Sequence, residues 1–294
     1  MINSDKIQVA KLCTLQFAEP IELDMYPEQY DYYIPKIWNQ FLKVQVFISE
    51  DLYESNNLWL RAYDENGVIV YFSKFEVFET AVGSGIYYAN VTAPKCAIEA
   101  IKQDTIAYFC VEDGNEKLAT SLWYVLNPSY SGDLKNITFT HGENDYGVFF
   151  NGDEFVITVE CGFVPNEYRI EQEQSDFMQQ NMVNETVYGD SYEVKTLTIG
   201  SGLGIPNWLA SKVGYASILD SFVIGEVEHV RVSGAKLESV EKTKQGLGMY
   251  NLDLQEVQNY MQQQLKYTPS KIEPNICYIG TNTQFSDNFT TEFE

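Results

Sequence analysis

The chain is 294 residues long, 45% hydrophobic and 14% aromatic, and carries a formal charge of -23 from 19 basic and 42 acidic side chains. A field of that sign repels phosphate backbones and anionic lipid headgroups, which argues against free nucleic acid and against membrane surfaces as partners. A chain of this length buries about 75% of its unfolded surface and divides more naturally into two domains than one, with no disulfide or metal needed to hold it.

The sequence predicts a first strand between Ile7 and Phe17. Next comes a segment rich in Pro, Tyr and acids, residues 18–38, where Pro20, Pro27 and Pro35 disfavour a long helix or a central strand. It reads either as an arm lying on a neighbour or as a surface loop. From Phe41 the pattern turns regular. Val44, Val46 and Ile48 alternate with Lys43, Gln45 and Phe47, and Leu58, Leu60 and Ala62 with Trp59, Arg61 and Tyr63, the period of half-buried strands. Asp64-Glu65-Asn66-Gly67 is a hairpin signal. Strands are expected over 68–78, 86–92, 104–111 and 117–126, with a helical turn within 94–102 and a turn at Asp113-Gly114-Asn115-Glu116. Short strands spaced in this way predict a β-sandwich.

Asn127-Pro128-Ser129-Tyr130-Ser131-Gly132-Asp133 breaks the series and is the expected domain boundary. Beyond it, strands are expected over 137–140, 147–150, 154–160 and 192–199. Residues 171–184, polar and glutamine-rich, are compatible with a helix or a loop. A glycine-paced turn (Gly200, Gly202, Gly204) then leads to a helix opened by Pro206, whose fixed φ suits a first helical turn. Trp208, Leu209, Val213, Ala216, Ile218 and Leu219 form its apolar face, with Ser211 and Lys212 off it. Two strands folded at Gly225-Glu226, strands over 236–240 and 247–254 and a closing helix over 253–266 complete the series. The predicted fold is mainly β: a β-sandwich over 1–130 with its arm at 18–38, an α+β domain over 134–266 whose antiparallel sheet carries one helix at about 206–219, and an extended acidic tail over 267–294.

Residue patterns of the kinds that carry chemistry elsewhere have plainer explanations here. Gly200-Ser201-Gly202-Leu203-Gly204 follows a strand and precedes a helix, but its spacing is not that of a dinucleotide fingerprint, and Pro206 removes an N–H that such a site would use. His141 and His229, the two histidines, lie in no hydrolase or metalloprotease motif. Pairs such as Glu50-Asp51 and Asp153-Glu154 could in principle serve a glycosidase, which needs only two positioned acids, but among 42 acids adjacency says little. The Asp64 turn lacks the ligand set of an EF-hand. Cys13, Cys96, Cys110, Cys161 and Cys277 are scattered, never C-x-x-C, and read as buried free thiols. No catalytic residue, cofactor site or metal site is read from the sequence, and the expectation is a non-enzyme. The 21 tyrosines serve either strand packing or a contact surface. Met1-Ile2-Asn3-Ser4-Asp5 has no signal-peptide character, so the four glycosylation sequons, at Asn90, Asn136, Asn184 and Asn288, read as chance matches.

At Tyr192-Glu193-Val194-Lys195-Thr196-Leu197-Thr198-Ile199-Gly200 followed by Gly204-Ile205-Pro206-Asn207-Trp208, and at Asp220-Ser221-Phe222-Val223-Ile224-Gly225 leading into Ser233-Gly234-Ala235-Lys236-Leu237-Glu238, the chain resembles virion structural proteins of tailed phages infecting Bacteroidetes, crAss-like phages included. The likeness covers mainly residues 145–260. It implies a structural role in the particle, with a neck or tail ring, a tail hub and an adaptor all fitting, and several copies around the tail axis. Its implied partners are itself, as a cyclic homo-oligomer, and other neck and tail proteins. Its implied location is the virion, after synthesis in the host cytoplasm without export. The arm at 18–38 and the tail at 267–294 would then contact neighbouring subunits. The alternative is a carbohydrate-binding β-sandwich module for host adsorption, with Trp59, Trp123 or nearby tyrosines stacking on sugars.

Overall fold

The computed structural model describes residues 5–17, 34–81, 83–114, 116–142, 152–178, 184–200, 204–242 and 247–257. The chain is mainly β, with a sandwich followed by an antiparallel sheet and a helix. One layer of the sandwich has the strand order β1 (Ile7–Val9), β3 (Leu42–Ile48), β7 (Tyr87–Ala93), β6 (Glu76–Glu79). The other has the order β2 (Lys36–Ile37), β9 (Glu116–Leu126), β8 (Thr105–Asp113), β4 (Leu58–Asp64), β5 (Ile69–Lys74). Leu58, Leu60 and Ala62 of β4 face Val44 and Val46 of β3 in a shared apolar core, as their two-residue period requires. The Asp64 carboxylate accepts the Asn66 and Val68 N–H groups at 2.9 and 2.8 Å, and Gly67 takes φ +76°, so the β4–β5 turn is closed by its own side chain. Two short helices flank the layers: α1 (Glu50–Ser55), which no apolar period announces, and α2 (Lys95–Glu99).

The second sheet closes on itself. Strands β10 (Leu134–Thr140), β11 (Phe155–Met178), β12 (Asn184–Ile199), β16 (Gly248–Glu256), β14 (Val227–Arg231) and β13 (Ser221–Ile224) pair in that cyclic order, every pairing antiparallel, and β13 returns to β10. The short β15 (Glu238–Lys242) adds beside the start of β16. Closure removes sheet edges. Phe139, Phe155 and Phe222 fill the interior with Ile157, Leu197 and Leu252, while α3 (Asn207–Ala216) contributes Leu209, Ala210, Val213 and Ala216 to the same core. Pro206 stands one residue before the helix as its N-cap, and single turns at Ile218 and Leu219 continue it to the predicted end. Residues 253–256, predicted to open a closing helix, belong instead to β16, because their alternation suits a strand between β12 and β14. The rest of that helix, the strand expected at 147–150, most of the 18–38 arm and the whole 267–294 tail lie outside the described residues.

Residues 171–184, which the sequence left between helix and loop, are mostly strand. From Arg169 to Met178, β11 pairs only with β12, and over Asn184–Glu193 β12 pairs only with β11. A register shift between Phe163 and Tyr168 marks where this two-stranded arm leaves the barrel. At about 3.3 Å per residue it reaches about 30 Å.

The two cores divide between Leu126 and Ile137, with one exception. Ala10 and Leu12 belong to the barrel core, whereas Cys13, Leu15 and Phe17 belong to the sandwich core. The predicted first strand is therefore β1 followed by a strap, which turns at residues 11–15 and bridges Phe17 to Ser121. The strap and the barrel cover the outer side of β3, so Lys43 and Gln45 are buried in a strand whose pattern predicts one wet face. Lys43 pairs with Asp153 across this seam and Lys36 pairs with Glu160. The predicted boundary is pinned rather than loose: Asn127 sits at φ 48°, donates from its side chain to the Ile101 carbonyl at 3.1 Å and from its backbone to Ile37 at 3.0 Å.

Candidate functional site

The glycine turn serves the backbone. Gly200 and Gly204 take φ of +86° and +84°, and a Cβ on Gly200 would meet the Gly248 carbonyl at 2.9 Å. Ile205 and Gly248 exchange backbone hydrogen bonds at 2.8 and 2.9 Å, so the turn brings the helix entry against the first residue of β16. Such contact requires glycine at both described positions of the turn. On α3, Lys212 is not off the buried face. Its Nζ donates to the Cys13 and Leu15 carbonyls at 2.9 and 3.0 Å and lies 5.5 Å from the Trp208 ring centre. The ammonium thus satisfies two strap carbonyls that have no strand partner, and the Leu15 carbonyl also accepts from the Cys13 thiol at 3.1 Å. Burial pushes its pKa down, partly opposed by the Cys13 thiol.

The two histidines do not converge. His141 follows β10 and contacts the Asp220 carboxylate at 2.8 Å, which also accepts the Gly142 N–H at 2.7 Å and ties β10 to β13. His229 lies buried within β14, its Nδ1 on the Val227 carbonyl and its ring stacked 5.1 Å from Phe163 at the root of the arm. Burial lowers its pKa, against the Val227 carbonyl and Glu256. Glu50 and Asp51 open α1, where acids suit a helix N-terminus, and Asp153 is spent on Lys43. Among the described residues no group of three or more His, Cys, Asp or Glu is placed to hold a metal, and no helix is long and apolar enough to cross a membrane. Cys13, Cys110 and Cys161 are free and buried, and burial pushes the Cys161 thiol up to about 12. Cys96 departs from the expectation of free thiols and is disulfide-bonded, a pairing that spacing along the chain does not reveal.

Three hollows accompany these residues. A polar cleft of about 400 Å³ lies between Arg169, Thr196, Asn251 and Asp253 and the 233–236 loop, but its polar groups bind one another: Arg169 pairs with Asp253 at 2.6 Å and Thr196 donates to the same carboxylate at 2.7 Å. A shallow hollow of about 430 Å³ lies on the other side of that loop against Ile218 and Val230. At the seam, Gln40, Trp208, Thr14 and Thr158 line a space of about 10 Å³, enough for one water and nothing larger.

Trp59 and Trp123, the proposed sugar platforms, stand on the outer face of one sheet. Tyr63, Tyr108 and Trp123 occupy one row across β4, β8 and β9. Their rings pack on each other, at 5.5 Å for Tyr63–Tyr108 and 4.7 Å for Tyr108–Trp123, with Lys117 above Tyr63 at 4.7 Å. Beneath them the buried Glu112 carboxylate accepts from Arg61 at 2.5 Å and from Tyr63 at 2.8 Å. The Tyr63 and Tyr108 rings stack face to face, whereas Tyr108 meets Trp123 edge-on and Trp123 is 43% exposed. What the sequence missed is the arm. Its sequence, rich in glutamine and acid, shows no two-residue apolar alternation to announce a strand. No protein family, curated protein or solved structure matches this chain.

Proposed function

We propose that this chain is a non-enzymatic structural subunit that assembles with copies of itself, in a ring or hub of the neck or tail of a tailed-phage particle. The observation that carries the reading is the arm of β11 and β12. An isolated two-stranded hairpin is marginal in water, and about 30 Å of one, with both outer edges unpaired among the described residues, gains its stability from a surface outside the barrel. Barrel closure adds to the argument, because it concentrates unpaired backbone groups on the arm. Heterologous contacts of this type close into rings when the rotation permits. The resemblance in 192–238 supplies the phage context, and the charge of -23 keeps free subunits apart until specific contacts form.

Peptide mass spectrometry on density-purified particles of the source phage tests the reading. The expected result is this chain at a fixed, ring-like copy number relative to the other tail proteins. Absence from clean particles refutes the virion role.

A further inference from the structure

The sandwich has an open side. β5 ends the five-stranded layer and β6 ends the four-stranded layer, and the two are consecutive in the chain, joined through the buried Phe75. Among the described residues β5 pairs only with β4, and β6 only with β7. β1 and β2, which end the opposite sides, are three and two residues long and are covered by the strap and the seam; β5 has six. Several exposed apolar side chains stand here: Val68 at 58%, Ile69 at 46% and Phe72 at 61% exposed, with Phe78 and Ile86 beside them. Native edges of this length are ordinarily blunted by proline or a covering loop, or by inward-pointing charge. β5, Ile69-Val70-Tyr71-Phe72-Ser73-Lys74, has no proline and no acid, in a chain that has 42 acids.

The arm is the complementary half. Over 169–178 and 184–193 its sequence holds six acids (Glu171, Glu173, Asp176, Glu185, Asp190, Glu193) against the single cation Arg169. Most of this chain's surface opposes such a segment by like charge. β5 itself carries one cation, Lys74, and no acid, with Lys117 on the same sheet face, although Glu65 and Glu76 flank it at either end. Among the described residues neither β5 nor the arm strands over 170–178 and 184–191 have a second strand partner, and nine residues of arm strand exceed the six of β5. The exposed β5 side chains show that the arm of the same copy does not cover them. Building on the proposed self-assembly, we infer that the β5 edge is the acceptor for the arm of a second copy, which adds a strand alongside Ile69–Lys74. Main-chain bonds supply affinity, and the apolar row with Lys74 supplies register. Because donor and acceptor are different surfaces, the contact is heterologous and propagates from copy to copy.

Two full-chain variants test this. In one, residues 169–193 are replaced by an Asn-Gly turn; in the other, Ile69→Glu and Phe72→Glu put like charge on an exposed edge without touching a core. Circular dichroism and melting confirm that both fold. By light scattering the wild type is expected to assemble and each variant to stay monomeric. Mixing the two is expected to give a 1:1 dimer and nothing larger, since one intact arm then meets one intact edge. If the edge variant assembles like the wild type while the armless one does not, the β5 inference is overturned and the self-assembly reading stands. If the armless variant assembles normally, the arm is not the donor and the inference is overturned while self-assembly stands; if the wild type stays monomeric at millimolar concentration, the self-assembly reading itself falls. Variants that remain monomers when mixed place the acceptor elsewhere and overturn the inference.

Discussion

Replacing Lys212 by Met tests whether one buried ammonium holds the amino-terminal strap between the two cores. Met matches the stem in length and leaves the packing near Trp208 in place, but it takes the ammonium from both carbonyls and leaves that of Leu15 only the weak Cys13 thiol donor at 3.1 Å. Each buried carbonyl left unsatisfied costs about 1–3 kcal/mol, and the lost contact with the Trp208 ring about 1 kcal/mol more. Against this, the variant no longer buries a charge, which burial already opposes by lowering the pKa. The net expectation is a loss of about 2–4 kcal/mol, seen first as faster amide hydrogen exchange over residues 10–17, by about 30- to 1,000-fold. The pH dependence has a definite sign. The folded pKa lies below the unfolded value of about 10.4, so in that window the unfolded chain holds the extra proton and stability from this group rises with pH. The difference between wild type and Lys212→Met should therefore widen as pH rises toward 10, while the opposing titrations of tyrosines and thiols cancel. A Met variant as stable as the wild type, with unchanged protection at residues 10–17, would refute the argument.

Gly200→Ala places a methyl 2.9 Å from the Gly248 carbonyl at a φ of +86°, and a loss of at least about 2 kcal/mol is expected in urea titration. Arg61→Ala leaves the buried Glu112 carboxylate with Tyr63 as its remaining donor; a penalty of about 2–3 kcal/mol is expected from the same titration, and Glu112→Gln in the Ala background should recover part of it. His229 has a lowered folded pKa, so its contribution is complete above about pH 6.5 and is lost as pH falls through the window below. His229→Phe should flatten the acid limb of the melting-temperature profile, and an unchanged limb would count against a buried neutral imidazole. An aromatic disulfide reagent at pH 8 should leave Cys13, Cys110 and Cys161 unmodified in the native protein and label all three after unfolding.

Local rules decided the strands with a buried face. Leu58, Leu60 and Ala62 announce β4 because a pleated strand with one face in a core must alternate, and Asp64-Glu65-Asn66-Gly67 announces its turn because the Asp64 carboxylate closes that turn locally. The glycines at 200 and 204 were legible as backbone requirements for the same reason. What was illegible needed a partner distant in sequence. Lys212 reads as solvated until the strap carbonyls, about 200 residues away in the chain, are placed over it. β3 reads as half-buried until the barrel covers its outer side, and the barrel itself exists only through the pairing of β12 with β16 and of β10 with β13. The arm lies at the far end of this scale: its two strands pair with each other beyond the barrel's β12–β16 pairing, and no apolar period in the sequence announces them. Sequence alone thus determined the mainly β character, the turns and the helix, because these follow from contacts a few residues apart. Closure of the barrel, the seam and the two bare edges were decided by tertiary structure, since each depends on which distant surfaces meet and on which backbone groups are left without a partner.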